Sequence, residues 1–176
     1  MSQAFEKVAV REIDDLYRQA LFLRAGDEVE AERLLLDALS RAFRNLGQER
    51  PDEEPRRWFQ RRMIRDFLAE VKRAAAARPP LRWPWRGPFS ALEIGAASGP
   101  EGVDADALFR AAGRLPPPAR AAIWLVVFAR WSYAEAAEAL GTNLDELREL
   151  MAYRHGFMAD VMRTARAGPI DGEMAV

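Results

Sequence analysis

The sequence predicts an all-α protein: two small helical domains joined by a Pro/Gly-rich linker, the second containing a helix-turn-helix. Apolar residues recur at helical spacing almost everywhere, and no stretch alternates as a strand would. Prolines and glycines gather between the periodic stretches. Residues 132–151, SYAEAAEALGTNLDELRELM, place a glycine turn between two helix-start signals.

Taken in order, Ile13, Leu16, Ala20 and Leu23 share one face of a first helix. Gly26-Asp27 makes a turn, and Ala31, Leu34, Leu35, Ala38, Leu39 and Ala42 form the stripe of a second helix. Gly47 and the RPDEEP stretch end it, because proline cannot continue a helix. A third helix is expected from Pro55, where proline suits the first turn, to about Ala77. PPLRWPWRGPFSALEIGAASGPEG has no period and reads as a linker. A short helix follows at Ala105–Ala112, and LPPPAR opens a strongly apolar helix from Ala119 to Arg130. The expected divisions are a first domain over 1–78, the linker over 79–104, a second domain over 105–166 and a tail over 167–176.

Composition narrows the function. The 176 residues contain no cysteine and one histidine, which excludes a disulfide scaffold, a thiol nucleophile and a Cys-based metal site. No metal or cofactor is expected: there is no phosphate-cradling glycine loop and no metal-ligand spacing. His155 lacks a sequence-adjacent carboxylate partner and reads as a packing or surface residue, so an enzyme is not expected. The acids Asp27, Glu28, Glu30 and Glu32 are accounted for by the dipole of a helix start. No signal-peptide pattern opens the chain, and the longest apolar run, Ala121 to Ala129, is far short of the ~20 residues a span needs. The expected location is cytoplasmic, with no membrane partner.

The formal charge of −1 conceals a segregation. Residues 56–86 carry 10 basic and 2 acidic groups, whereas residues 1–55 carry 8 basic and 13 acidic. On a wheel of ~100° per residue, Phe59, Met63, Ile64, Phe67, Leu68 and Val71 occupy one arc of the third helix. Arg61, Arg62, Arg65, Lys72 and Arg73 occupy the opposite arc, with Trp58 among them. Cations that follow phosphates beside an aromatic that can stack on an unpaired base point to single-stranded nucleic acid. Trp83, Trp85, Arg82 and Arg86 lie just downstream and extend that pattern.

In the helix-turn-helix, Ser132 with Glu135 and Asn143 with Glu146 form capping boxes. Ala137 is small where two helices approach, Gly141 permits the left-handed turn, and Leu147 anchors the second helix. Leu144, Leu147, Leu150, Met151, Phe157, Met158 and Val161 are expected to face inward. Asp145, Glu146, Glu149, Tyr153 and Asp160 are expected outside, with Arg148 the main cation. Carboxylates in a groove lined by phosphate are repelled, so this helix suits a protein partner better than direct base reading.

The order of these parts resembles bacterial RNA polymerase sigma factors of the extracytoplasmic-function group. GDEVEAERLLLDALSRAFRN (26–45) is similar to the family's polymerase-binding helix, WFQRRMIRDFLAEVKR (58–73) to its promoter-melting helix, and LPPPARAAIWLVVFARWSYAEAAEALG (115–141) to its C-terminal promoter-recognition domain. The resemblance implies core RNA polymerase as a partner through Glu32, Leu35, Leu36 and Leu39. It also implies promoter DNA as a partner through Trp58, Arg61, Arg62, Arg65, Lys72, Arg73 and Arg148. The sequence departs from the family pattern at Arg33, where an acid is usual, and at Leu36, where glutamine is usual. The family's Thr-Val-(Arg/Lys)-Ser-Arg run stands here as Glu146, Leu147, Arg148, Glu149 and Leu150. That loss of polar and basic positions resembles the sigma-like decoy domains of general-stress-response regulators, which bind an anti-sigma factor. A divergent sigma factor is the leading expectation, and a sigma mimic acting through protein contact is the alternative.

Overall fold

The computed structural model describes residues 2–45, 54–76 and 105–166, and among these every regular element is helical. The N-terminal group comprises α1 (Ser2–Leu23), α2 (Glu28–Asn45) and α3 (Pro55–Ala76). The C-terminal group comprises α4 (Ala105–Gly113), α5 (Pro117–Ile123), a π-helical turn (Trp124–Phe128), α6 (Tyr133–Leu140) and α7 (Leu144–Arg166). The expected linker over 79–104 and the tail over 167–176 lie outside the described residues.

Local chemistry sets the helix ends. Asp27 Oδ1 accepts from the Glu30 amide at 3.0 Å, and Glu28 and Glu30 sit where the helix dipole favours acids, so α2 starts cleanly after the turn. The turn itself takes Ala25 to φ 57° and Gly26 to φ 87°. A Cβ on Gly26 would meet Phe109 Cβ at 3.0 Å, so only glycine lets this turn tuck against α4. Pro117 starts α5, where its missing N–H costs nothing.

The expected stripes are largely the buried ones. Leu16, Ala20 and Leu23 of α1, Ala31, Leu34, Leu35, Ala38 and Ala42 of α2, and Phe59, Met63, Ile64 and Phe67 of α3 are all buried. Two positions depart from expectation: Ile13 is 40% exposed and Leu144 is 45% exposed. Leu144 is the first residue of α7, whereas Ile13 lies midway along α1 beside the buried Glu12.

The apolar stretch after LPPPAR is not one continuous α-helix. α5 ends at Ile123, and residues 124–128 widen into a π turn closed by the Ala129 amide on the Trp124 carbonyl at 2.9 Å. The wider turn stacks Trp124 on Phe128, 5.3 Å apart and 25° from parallel. Both rings lie against Phe22 of α1, at 5.4 and 5.2 Å, and Phe157 of α7 meets Phe22 edge-on at 5.7 Å. Phe22 is completely buried and belongs to one apolar cluster that draws residues from both groups.

Polar contacts reinforce this seam. Arg120 of α5 donates to the Leu23 carbonyl at 2.7 Å, satisfying a helix-end acceptor with a cation where the dipole favours one. Burial and the nearby Arg24 lower the Arg120 pKa to about 10, so it remains charged at neutral pH. Gln19, fully buried, donates to the Gln60 carbonyl at 3.2 Å and ties α1 to α3.

With one apolar cluster drawing on both groups, the two are expected to unfold together. Phe22→Ala is expected to cost about 3–5 kcal/mol while the protein still unfolds in a single urea transition. Separate transitions for the two helical groups would contradict this account.

Candidate functional site

The cations of α3 fall into three environments, although the wheel placed them on one arc. Arg65 and Lys72 are exposed, and among the described residues neither has an ion-pair partner. Arg73 is also exposed, its Nε donating back to the Ala69 carbonyl at 3.3 Å. Arg62 is half-buried, with Nε 3.5 Å from Asp66 Oδ2. Trp58 is half-buried and meets Phe59 edge-on at 5.2 Å, so its ring packs against the core as well as bordering the arc.

The third environment is the seam with α6. Arg57, which the sequence did not single out, pairs with Glu135, and Arg61 Nη1 pairs with Glu138 at 2.8 Å. Both guanidinium groups sit over the indole of Trp131, at 5.3 and 5.6 Å from its ring centre. Trp131 is only 3% exposed, and its Nε1 donates to Gln60 Oε1 at 3.2 Å. Charge alone at 57 and 61 carried no signal of this; the complementary acids are 78 and 77 residues away.

A second charged cluster fills the cleft between α2 and α3. Arg24 pairs with Glu70, Arg33 with Glu30 at 2.7 Å and with Glu70 at 3.3 Å, and Arg41 with Asp66 at 2.8 Å. Arg73 and Asp37 complete its lining. Carboxylates match the arginines here, so the cleft attracts no anion and acts as a lock between helices. Asp66 and Glu70 are inside this lock.

On α2 the structure sorts the four residues implied as polymerase contacts. Leu35 is 6% exposed and belongs to the core, and Leu39 is half-buried against it. Glu32 and Leu36 face out, Leu36 at 61% and Val29 at 75% exposure. Val29, Glu32, Leu36 and Ser40 follow i, i+3, i+7, i+11 and form one outward strip. Leu35 is therefore part of the core, whereas Val29 shares the outward strip with Glu32 and Leu36.

At the helical hairpin, Ser132 Oγ accepts from the Glu135 amide at 3.2 Å and Glu135 Oε2 accepts from the Ser132 amide at 2.8 Å. Gly141 takes φ 67°, and its amide and that of Thr142 bond back to Glu138 and Ala137. Asn143 Oδ1 then accepts from the Glu146 amide at 2.9 Å, opening α7. Ala137 and Leu147 are buried where α6 and α7 meet. Asp145, Glu146 and Glu149 are exposed on α7, and Arg148 is held by Asp145 at 2.7 Å. Tyr153 and Asp160 are half-buried; Asp160 bonds Arg114 at 3.2 Å, which draws this end of α7 toward α4. His155 is half-buried in α7, and among the described residues no group of three His, Asp or Glu is placed to hold a metal ion. Nor is any described helix long and apolar enough to cross a membrane.

Hydrogen bonds from the Ser132 side chain and backbone, then from Arg57, lower the Glu135 pKa to about 2. Bonds from the Thr142 side chain and the Asn143 backbone likewise lower that of Glu146. A carboxyl whose folded value lies below its ordinary 4.5 stabilises the fold above that pH, and loses its contribution as pH falls toward about 2. Acid titration of thermal stability should show a loss between these limits, and Glu135→Gln should flatten it. An acid limb unchanged in the variant would show that Glu135 contributes nothing to it.

No protein-family model matches the chain, and no curated protein matches it in sequence. In structure it is similar to the sigma factor RpoE solved in complex with the anti-sigma factor NepR from Bartonella quintana, with a TM-score of 0.66 and 16% identity. The likeness covers 92% of this chain and 98% of that one, and at such identity it is a likeness of fold. The chain has an all-helical, sigma-factor-like fold.

Proposed function

We propose that the protein is a divergent sigma factor that binds core RNA polymerase and promoter DNA. The supporting observation is the fold itself, shared with a sigma factor over nearly the whole of both chains. Under this reading the outward strip of α2, Val29, Glu32 and Leu36, meets the polymerase. Exposed leucine and valine on an otherwise polar helix face are the kind of surface a partner covers. The cations of α3 then track the phosphates of a melted strand, with Arg65 and Lys72 already accessible. The α6–α7 hairpin adds weak duplex contact through Arg148.

A sigma mimic that acts by protein contact is the second reading. The exposed Asp145, Glu146 and Glu149 favour it, because a helix carrying them is repelled by phosphate. The structurally similar sigma factor was solved with an anti-sigma factor, and a partner of that kind fits this chain under either reading.

Run-off transcription with core polymerase and this protein separates the two. Promoter-dependent transcripts are expected, and Leu36→Glu should abolish both transcript and core capture while leaving the fold intact. Capture of an anti-sigma factor without any transcript or core binding would replace the first reading by the second. For the strand contact, Arg65→Ala with Lys72→Ala should weaken single-stranded DNA binding. The slope of log K against log salt should become shallower by about 1.4, since each phosphate contact on a single strand contributes about 0.7. An unchanged slope would remove these two residues from the contact.

A further inference from the structure

We infer that Glu135 and Glu138 of α6 stand in for phosphates on a nucleic-acid site formed by Arg57 and Arg61 of α3, so that the closed seam and strand binding there exclude each other. This rests on the proposed reading of α3 as a nucleic-acid face, and it adds Arg57, together with a means of control, to that reading.

The site is built for two anionic groups. Arg57 and Arg61 are one helical turn apart, and Trp131 lies beneath both guanidinium planes. Gln60 Oε1 fixes the indole, and the Gln60 carbonyl is itself held by buried Gln19. Each of the two arginines directs Nη1 to a carboxylate of α6. A guanidinium recognises carboxylate and phosphate oxygens by the same forked geometry. Glu135 and Glu138, one turn apart on α6, supply carboxylates at a matching interval.

Exposure decides which ion pairs a polyanion can displace. The Arg24–Glu70 pair has side chains only 15% and 17% exposed and lies inside the α1–α3 lock. On the α3–α6 seam the carboxylates are the open partners, Glu138 at 70% and Glu135 at 39%, while Arg57 is 35% and Arg61 18% exposed. Pairs open to solvent are weak and screened by salt, so a strand carrying many phosphates competes with them directly. Arg65 and Lys72, uncovered on the same helix, give such a strand a first hold beside the masked pair.

The test measures affinity of the full chain for a labelled single-stranded oligonucleotide at low and high salt. Glu135→Gln combined with Glu138→Gln removes the charges but keeps the cap, since glutamine serves the same position in a capping box. The double variant is expected to bind about tenfold tighter at low salt, with the gain vanishing at high salt. Adding Arg57→Gln and Arg61→Gln should return affinity to the wild-type value or below. Equal affinity of wild type and the glutamate double variant would overturn the masking while leaving α3 as a nucleic-acid face. A gain that survives loss of both arginines would also overturn it, because the effect would then be general charge and not this site. If neither protein binds the oligonucleotide, the reading of α3 itself fails and the inference with it.

Discussion

Phe22 holds the molecule's two halves in one arrangement. Its ring, wholly buried, contacts three aromatic rings from the C-terminal group. Burying an aromatic side chain contributes about 1.5–3 kcal/mol, and the ring–ring geometry adds to this. The π turn exists in the same place: a wider helical turn sets Trp124 above Phe128 so that both reach the one ring. Everything charged along the seam follows from that apolar registration. Arg57 and Arg61 meet Glu135 and Glu138 because α1 and α3 have already been brought against the π turn and α6.

Within that frame, similar ion pairs have different consequences. The Arg24–Glu70, Arg33–Glu70 and Arg41–Asp66 pairs bind α1, α2 and α3 to one another in a partly closed cleft, where removing one partner strands the other. The α3–α6 pairs have the more exposed carboxylates, Glu135 and Glu138, and under the proposed masking they govern which arginines of α3 a ligand can reach. An arginine-rich helix is thus divided by its neighbours into cations that hold the fold, cations that are covered and cations that are open. Net charge cannot distinguish these, and on α3 it overstates the accessible cationic surface.

The same partition clarifies the proposed function. On α2 the core takes Leu35 and part of Leu39, leaving Val29, Glu32 and Leu36 as the outward strip. On α7 the core takes Leu147, Met151, Phe157 and Val161, leaving carboxylates outside. Under the proposed reading, the exposed aliphatics of α2 and the carboxylates of α7 suit protein partners, whereas exposed cations of α3 such as Arg65 and Lys72 suit phosphate. The masked arginines link these two faces, because α6 carries the acids and shares its hairpin with α7.

Much of the fold was legible in the sequence because its determinants are local. Helical period, the proline at the start of α3, the paired caps at Ser132 and Asn143 and the left-handed Gly141 each act within four or five residues. The buried stripes could be read for the same reason, Ile13 and Leu144 excepted. Tertiary structure alone decided the rest: that α5 gives way to a π turn, that Phe22 rather than Ile13 is buried among the aromatic rings, and that Arg57 pairs with Glu135 over Trp131. Those outcomes depend on groups some 80 to 135 positions apart meeting in space, as Arg57 meets Glu135 and Phe22 meets Phe157. Periodicity reports which face of a helix is apolar; it carries no information about which other face will cover it.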